Sequence, residues 1–241
     1  MSISFFILLF IVALLYASVG HGGASGYLAL MAIYGFAPEV MKPSALILNL
    51  FVSLTSFIMF YKGGHFKWKL FLPFALASIP FSFLGGTITL EAAIYKKVLG
   101  VLLLFPVTRF FFYPNTKDAD LKSSNFIISL LIGAIIGFLS GLIGIGGGII
   151  LSPVLLLLNW TNQKQTAAIS ALFIFVNSIA GLAGQLSKGI HIDNTVFGFI
   201  AIAFIGGLGG AWLGSLRLNQ LYLKYTLAIV LLMASVKLIL T

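Results

Sequence analysis

The sequence predicts an all-α, polytopic integral membrane protein built from two tandem repeats, and three observations predict it. The first is composition: of 241 residues, 60% are hydrophobic and 8% charged, with a mean hydropathy of +1.13. Soluble domains carry about 25% charged residues, so too little polar sequence remains here to cover a water-facing globule. The second is the length of the uncharged runs. Phe126–Trp160 contains no charged residue and would be about 50 Å long as one straight helix, well beyond the roughly 30 Å hydrocarbon core of a bilayer. The third is a pair of glycine clusters, Ser140-Gly-Leu-Ile-Gly-Ile-Gly-Gly-Gly-Ile-Ile-Leu-Ser-Pro153 and Val19-Gly-His-Gly-Gly-Ala-Ser-Gly26, each inside such a run. Glycines at that density interrupt a helix, and irregular backbone at membrane depth survives only inside protein or along a watery cavity.

Charge and turn residues divide the chain into about eight hydrophobic segments, seven to ten helices once broken ones are counted. Ile3–Tyr34 comes first, broken near Gly20–Gly23, then Ser44–Tyr61, closed by Lys62-Gly-Gly-His-Phe-Lys-Trp-Lys69. Leu70–Leu90 and Val98–Tyr113 follow. Pro114–Asn125 is the one polar stretch of any length and reads as a linker, so residues 1–113 form the first repeat and 126–241 the second. The second half repeats the order: Phe126–Trp160 broken near Gly144–Gly148, then Thr166–Leu186, Val196–Ser215 and Tyr225–Thr241. Gly20, Gly22 and Gly23 fall on Gly144, Gly146 and Gly147 at a shift of 124. Gly64 falls on Gly189 and Ser53 on Ser178 at 125, and Gly85-Gly86 on Gly209-Gly210 at 124.

Two sidedness schemes follow. A break that lets the chain pass through gives parallel halves; one that turns it back gives inverted halves. The loop Lys and Arg residues favour the second, with the central linker on the cytoplasmic side.

The net charge of +9 reads as anchoring against anionic lipid headgroups rather than contact with nucleic acid. The basic residues stand between apolar runs, as at Lys96-Lys97, Lys117, Lys122, Arg217 and Lys224, with Arg109 and Lys237 near segment ends. With no cysteine, disulfides and thiolate chemistry are excluded. The N-terminus lacks the basic region of a cleaved signal and reads as the first membrane segment. All five acids (Glu39, Glu91, Asp118, Asp120 and Asp193) are expected in the gaps, leaving no carboxylate for a cation site at mid-membrane. No cluster that would make an enzyme, a metal site or a cofactor site occurs in the apolar segments.

The glycine stretch opening the second half, its degenerate copy near the N-terminus, Ala168–Ser178 (Ala-Ile-Ser-Ala-Leu-Phe-Ile-Phe-Val-Asn-Ser) and the turn Gly189-Ile-His-Ile-Asp193 together resemble the TauE/SafE family of sulfite-exporter-like permeases. The resemblance covers essentially the whole chain. It implies a multi-pass permease of a bacterial-type inner membrane, moving sulfite, sulfoacetate or another organosulfur anion.

The physics of the motif suits an anion. Helices that begin inside the membrane aim unpaired N–H groups and a positive dipole end at whatever lies there. Gly20, Gly22, Gly23, Gly144, Gly146, Gly147 and Gly148 are therefore expected to form the substrate site; the competing reading is close helix packing, which Gly85, Gly86 and Gly206–Gly210 fit better. His21 is expected to contact the solute or carry a coupled proton, the coupling ion being a proton or sodium; a helix-capping role stands beside that reading. His65 and His191 read as surface residues. Asn177 and Ser178, which match the family motif, come first among the polar contacts, then Ser25 and Ser152, with Asn49, Ser53 and Ser170. Each of these also has a helix–helix alternative. The function expected is a secondary transporter or exporter of a small anion; the rivals are a passive anion channel and a non-transporting subunit of a larger complex.

Overall fold

The computed structural model describes residues 2–112, 121–190, 192 and 195–216, with 232, 235, 236 and 238–240 of the last segment. Asp118, Asp120, Lys117, His191, Asp193, Arg217, Lys224 and Lys237, most of the linker and most of the last predicted segment lie outside the described residues, as does the Arg109 side chain. The described elements are all helical: α1 (Ile3–Ser18), α2 (Ala24–Ile33), α3 (Pro38–Lys62), α4 (Trp68–Gly86), α5 (Ala92–Phe112), α6 (Phe126–Ile143), α7 (Gly148–Leu157), α8 (Gln163–Leu186) and α9 (Thr195–Leu216). Among them α3, α4, α6, α8 and α9 are long and apolar enough to cross a membrane, while α1, α2 and α7 are apolar but shorter. The chain is a multi-pass membrane protein.

Local chemistry sets the boundaries and corrects several expected ones. Helix α3 starts at Pro38, six residues before the expected Ser44, because Ala37 is extended and proline stands at the first helical position, where its missing N–H is not needed. Glu39 therefore lies in the first turn of a helix and not in a gap; there it faces the positive dipole end. Helix α8 opens early, at Gln163, through a capping box between Asn162 and Gln165. Asn125 caps α6 by accepting from Ile127 N–H and Ile128 N–H at 3.0 and 3.1 Å. Helix α4 stops at Gly86 rather than Leu90, and α5 begins at Ala92 rather than Val98.

Both expected breaks are real, and both are hairpins. After α2 the chain returns to where α1 began: Ser4 Oγ lies 2.8 Å from Tyr34 Oη, and the Phe5 ring packs on Tyr34 and Phe36. After α7 it returns to the start of α6, where Lys122 N–H donates to Asn159 O at 2.7 Å. Each hairpin turns the chain back to the side from which it entered. The returning arms α2 and α7 have ten residues each, about 15 Å of helix. That puts the starts of the returning arms, at Gly23 and Gly147, near the middle of a bilayer core.

Two ends of the bundle are thereby defined. One gathers the start of α3, the α4–α5 turn and the α8–α9 loop, with Lys42 Nζ near Ile88 O and Phe199 against Phe5. The other gathers Phe60, Phe66, Ala167 and Ala168. Packing is exchanged between the halves: α1 lies on α9, α6 on α4, and α3 meets α8 between them. Small residues make the close approach possible. A methyl added at Gly137 of α6 would lie 2.6 Å from Ser78 Cα, and one at Gly85 would lie 2.8 Å from Leu142 N. Gly86 abuts Gly181, while Gly206 and Gly210 sit on the Phe10 and Leu14 carbonyls of α1.

Candidate functional site

The two glycine turns come together on α3 and α8. A side chain at Gly22 would strike Asn49 Oδ1 at 2.5 Å and Ile174 Cγ2 at 2.9 Å. One at Gly146 would strike the Asn49 amide nitrogen and the same Ile174 methyl, with Ser178 Oγ at 3.1 Å. Asn49 is fully buried and joins the halves: Oδ1 accepts from Ala24 N–H at 3.0 Å, and Nδ2 donates to Ser178 Oγ at 3.2 Å.

The backbone explains why glycine is used. Gly20, Gly23, Gly144, Gly146 and Gly147 all have positive φ, from +73° to +96°, a region that costs other L-residues about 1–2 kcal/mol. Gly23 and Gly147 are the N-caps of α2 and α7, and neither cap supplies a side-chain acceptor. Among the described residues, no acceptor meets the N–H groups of Gly22 and Gly23 in the first turn, or of Ile145, Gly146 and Gly147 in the second. All five residues are buried. Orphaned buried amides are rare in proteins, and here they occur in both turns.

Two hydroxyls repeat the pattern. Tyr27 Oη and Ser140 Oγ are buried with no hydrogen-bond partner. The end of the Tyr27 ring lies over Gly23, and Ser140 Cβ stands 3.3 Å from the position a Gly147 side chain would take.

Beside the junction runs a polar chain that crosses between the halves. His21 Nδ1 lies 3.0 Å from Val19 O, and a carbonyl only accepts, so this nitrogen carries a proton. His21 Nε2 lies 2.8 Å from Ser152 Oγ, which is 2.7 Å from Ser170 Oγ and 2.8 Å from Gly148 O. Ser152 has one hydroxyl proton for three neighbours. With His21 neutral, that proton goes to Nε2; with His21 charged, Nε2 donates and the hydroxyl turns to Gly148 O.

Most of the expected residues thus fall at or beside one junction: Gly22, Gly23, Asn49, Gly146, Gly147 and Ser178 directly, His21, Gly148, Ser152 and Ser170 through the adjoining chain. Others point elsewhere. Ser25 Oγ donates to Tyr16 Oη at 2.8 Å, and Ser53 Oγ returns to its own helix at Asn49 O. Asn177 faces α4, donating to Ser78 Oγ at 3.0 Å, and its carbonyl accepts from Ser82 Oγ. Gly20 packs on Ala167 and Phe60, and Gly144 on Lys42, at opposite ends of the bundle. Tyr27, Ser140, Ile174 and Lys42 were not singled out by sequence; only the folded hairpins bring them to the glycines. His65, expected at the surface, is half-buried.

The sequence model of the family described as Sulfite exporter TauE/SafE matches residues 5–238. The chain belongs to the TauE/SafE family. Relatives named as membrane transporters match it over most of its length. A Sinorhizobium fredii protein named a probable membrane transporter is 38% identical over 234 residues, 95% of each chain. A Methanocaldococcus jannaschii protein of the same description is 32% identical over 211 residues, covering 81% of this chain and 77% of its own. A Bacillus subtilis protein, again so described, is 25% identical over 99% of this chain and 100% of its own. No solved structure matches the chain. This TauE/SafE protein is a membrane transporter.

Proposed function

We propose that this protein is a secondary transporter or exporter of a small anion, sulfite or an organosulfonate such as sulfoacetate, held between the two glycine turns. The observation that carries the reading is the set of buried amides without acceptors in both turns, at the junction made by Asn49 and Ile174. An oxyanion brings several acceptor oxygens and no donors, which is what these amides and the Tyr27 and Ser140 hydroxyls lack. Helix N-termini supply positive potential without a buried cation. The family description names sulfite, and the chemistry of the turns fits that class. The solute crosses unaltered, without a cofactor.

The halves are read as inverted copies. Exchanged packing of α1 on α9 and α6 on α4, with two hairpins and a central junction, is the arrangement an inverted duplication produces. Five described lysines stand at the end that carries the linker (Lys62, Lys67, Lys69, Lys122 and Lys164) and four at the other (Lys42, Lys96, Lys97 and Lys188). This favours a cytoplasmic linker and an inner-membrane location. The turns are closed over, so passage requires one half to rock against the other, parting the Asn49–Ser178 bond.

A proton is the coupling ion we favour over sodium, carried on His21 with the Ser152 hydroxyl reversing as the charge changes. Purified protein in liposomes, given labelled sulfite or sulfoacetate and a gradient of one pH unit, should concentrate the solute about tenfold for one proton per solute. His21→Gln should move it only downhill. Wild-type flux that follows the solute gradient alone would make the protein a passive channel; no flux of any sulfur anion would rule out this class of solute.

A further inference from the structure

We propose that Lys42 forms a second, cationic anion site at the end of the bundle opposite the linker, where the solute is held on its way to or from the Gly144–Gly148 turn. The proposal rests on the reading that the solute is an anion. It stands on separate residues, however, and has its own test.

Lys42 is the one charged side chain buried among the described residues, 5% exposed. Its ammonium carries three donors, yet it finds one long contact to Ile88 O at 3.4 Å and the face of Tyr95 at 5.7 Å. Among the described residues no carboxylate comes within ion-pair distance of it; Glu39, one turn earlier on α3 and exposed, lines the same cavity and acts on the ammonium through space. A buried cation with so little compensation is costly to folding. Around it Pro38, Glu39, Thr89, Leu90 and Tyr95 enclose a small cavity of about 20 Å³. That is room for one water molecule or the leading oxygen of an oxyanion.

The cavity is tied to the second glycine turn. The Lys42 backbone backs onto Gly144, whose added methyl would lie 3.2 Å from Lys42 Cα. Tyr95 Oη donates to Ile143 O at 2.9 Å, so the ring under the ammonium also holds the end of α6. At the other end of the bundle Gly20 meets Ala167 in the corresponding way, with no charge. Among the described residues a buried cation is thus present at one mouth only, and its ligand class is a small oxyanion or sulfonate. The competing role is structural: Lys42 as no more than the counter-charge to the carbonyl end of α6, a role that transport kinetics would not register.

Two measurements separate these roles. In proteoliposomes, Lys42→Gln should raise KM for sulfite about tenfold or more while changing the maximal rate little, and Lys42→Arg should restore most of it. On purified wild-type protein, sulfate and ethanesulfonate should slow acetylation of Lys42, read by mass spectrometry, where gluconate at equal ionic strength does not. Unchanged KM in Lys42→Gln with a lowered melting temperature would overturn the proposal in favour of the structural role. Flux without protection of Lys42 would also overturn it. Protection without any flux would uphold the anion site and sink the transport reading instead.

Discussion

Replacing Tyr27 with Phe separates transport from folding more cleanly than any glycine variant. Tyr27 is wholly buried, and its hydroxyl has no partner in the closed protein. A buried hydroxyl left unpaired costs roughly 1–3 kcal/mol. Removing it therefore leaves stability unchanged or raises it, by about 2–4 °C in melting temperature for each kcal/mol regained. If the hydroxyl donates to a bound anion, the same change deletes a hydrogen bond to a charged group, worth about 1.5–3 kcal/mol. At about 1.4 kcal/mol per factor of ten, KM for sulfite rises about ten- to a hundredfold. The assay is initial-rate uptake of labelled sulfite into proteoliposomes, run beside thermal unfolding in detergent. Tyr16→Phe is the control, because Tyr16 Oη already receives the Ser25 hydroxyl, and its loss should lower stability by about 1 kcal/mol. Unchanged KM in Tyr27→Phe, or a fall in stability matching the fall in flux, would refute the reasoning.

Gly147→Ala and Gly189→Ala share a φ of +76°, so each should lose about 1–2 kcal/mol from backbone strain. Only Gly147→Ala also drives a methyl to 2.9 Å from Ile136 and Phe173, whereas Gly189 has open space; uptake should collapse in the first and persist in the second. His65, in the α3–α4 loop, is held below the ordinary histidine range by partial burial and then by the charge of Lys164. The fold thus favours neutral His65, and the unfolded chain binds more protons as pH falls through the ordinary value. Stability contributed above that value is lost below it, so the melting temperature should fall between about pH 7 and pH 5, and His65→Gln should flatten that slope.

The glycine interruptions were legible because they rest on local chemistry: five positive-φ residues in the two turns need glycine whatever surrounds them. The helical spans were legible from hydropathy, with errors where one residue's local role outweighed its average behaviour. Pro43 looks like a boundary, yet it lies within α3 because Pro38 had already opened the helix. The junction was only half legible. Asn49 and Ser178 stood out as polar groups in apolar helices, but nothing in sequence says that one bonds the other across 129 positions. Asn177, put first for its motif, faces α4 because it lies one residue, or about 100°, around the helix from Ser178. Tyr27 and Lys42 were invisible for the opposite reason: an interfacial tyrosine and a lysine near a helix end are ordinary in membrane sequences. Only packing shows them buried and short of partners.

On the proposed inverted repeat, the differences between the copies carry as much meaning as the likeness. Asn49 corresponds to Ile174, Lys42 to Ala167 and His21 to Ile145 at shifts of 124 or 125. In each pair the first half supplies the polar or charged member and the second half an apolar one. The second half answers with Ser178, which receives Asn49, and Ser152, which bonds His21 across the interface and is itself bonded to Ser170. A symmetric site would pair like with like and give each bond a twin, so that both outward and inward closure broke the same set. Here the amide and imidazole beside the turns come from the first half and their hydroxyl partners from the second, and the sole buried described cation lies at one mouth. On the proposed mechanism the two closed-over states would differ in energy, and protonation of His21 would act on that difference by reversing its bond with Ser152. An inverted duplication would supply two doors, and the divergence between the copies would decide which one a proton opens.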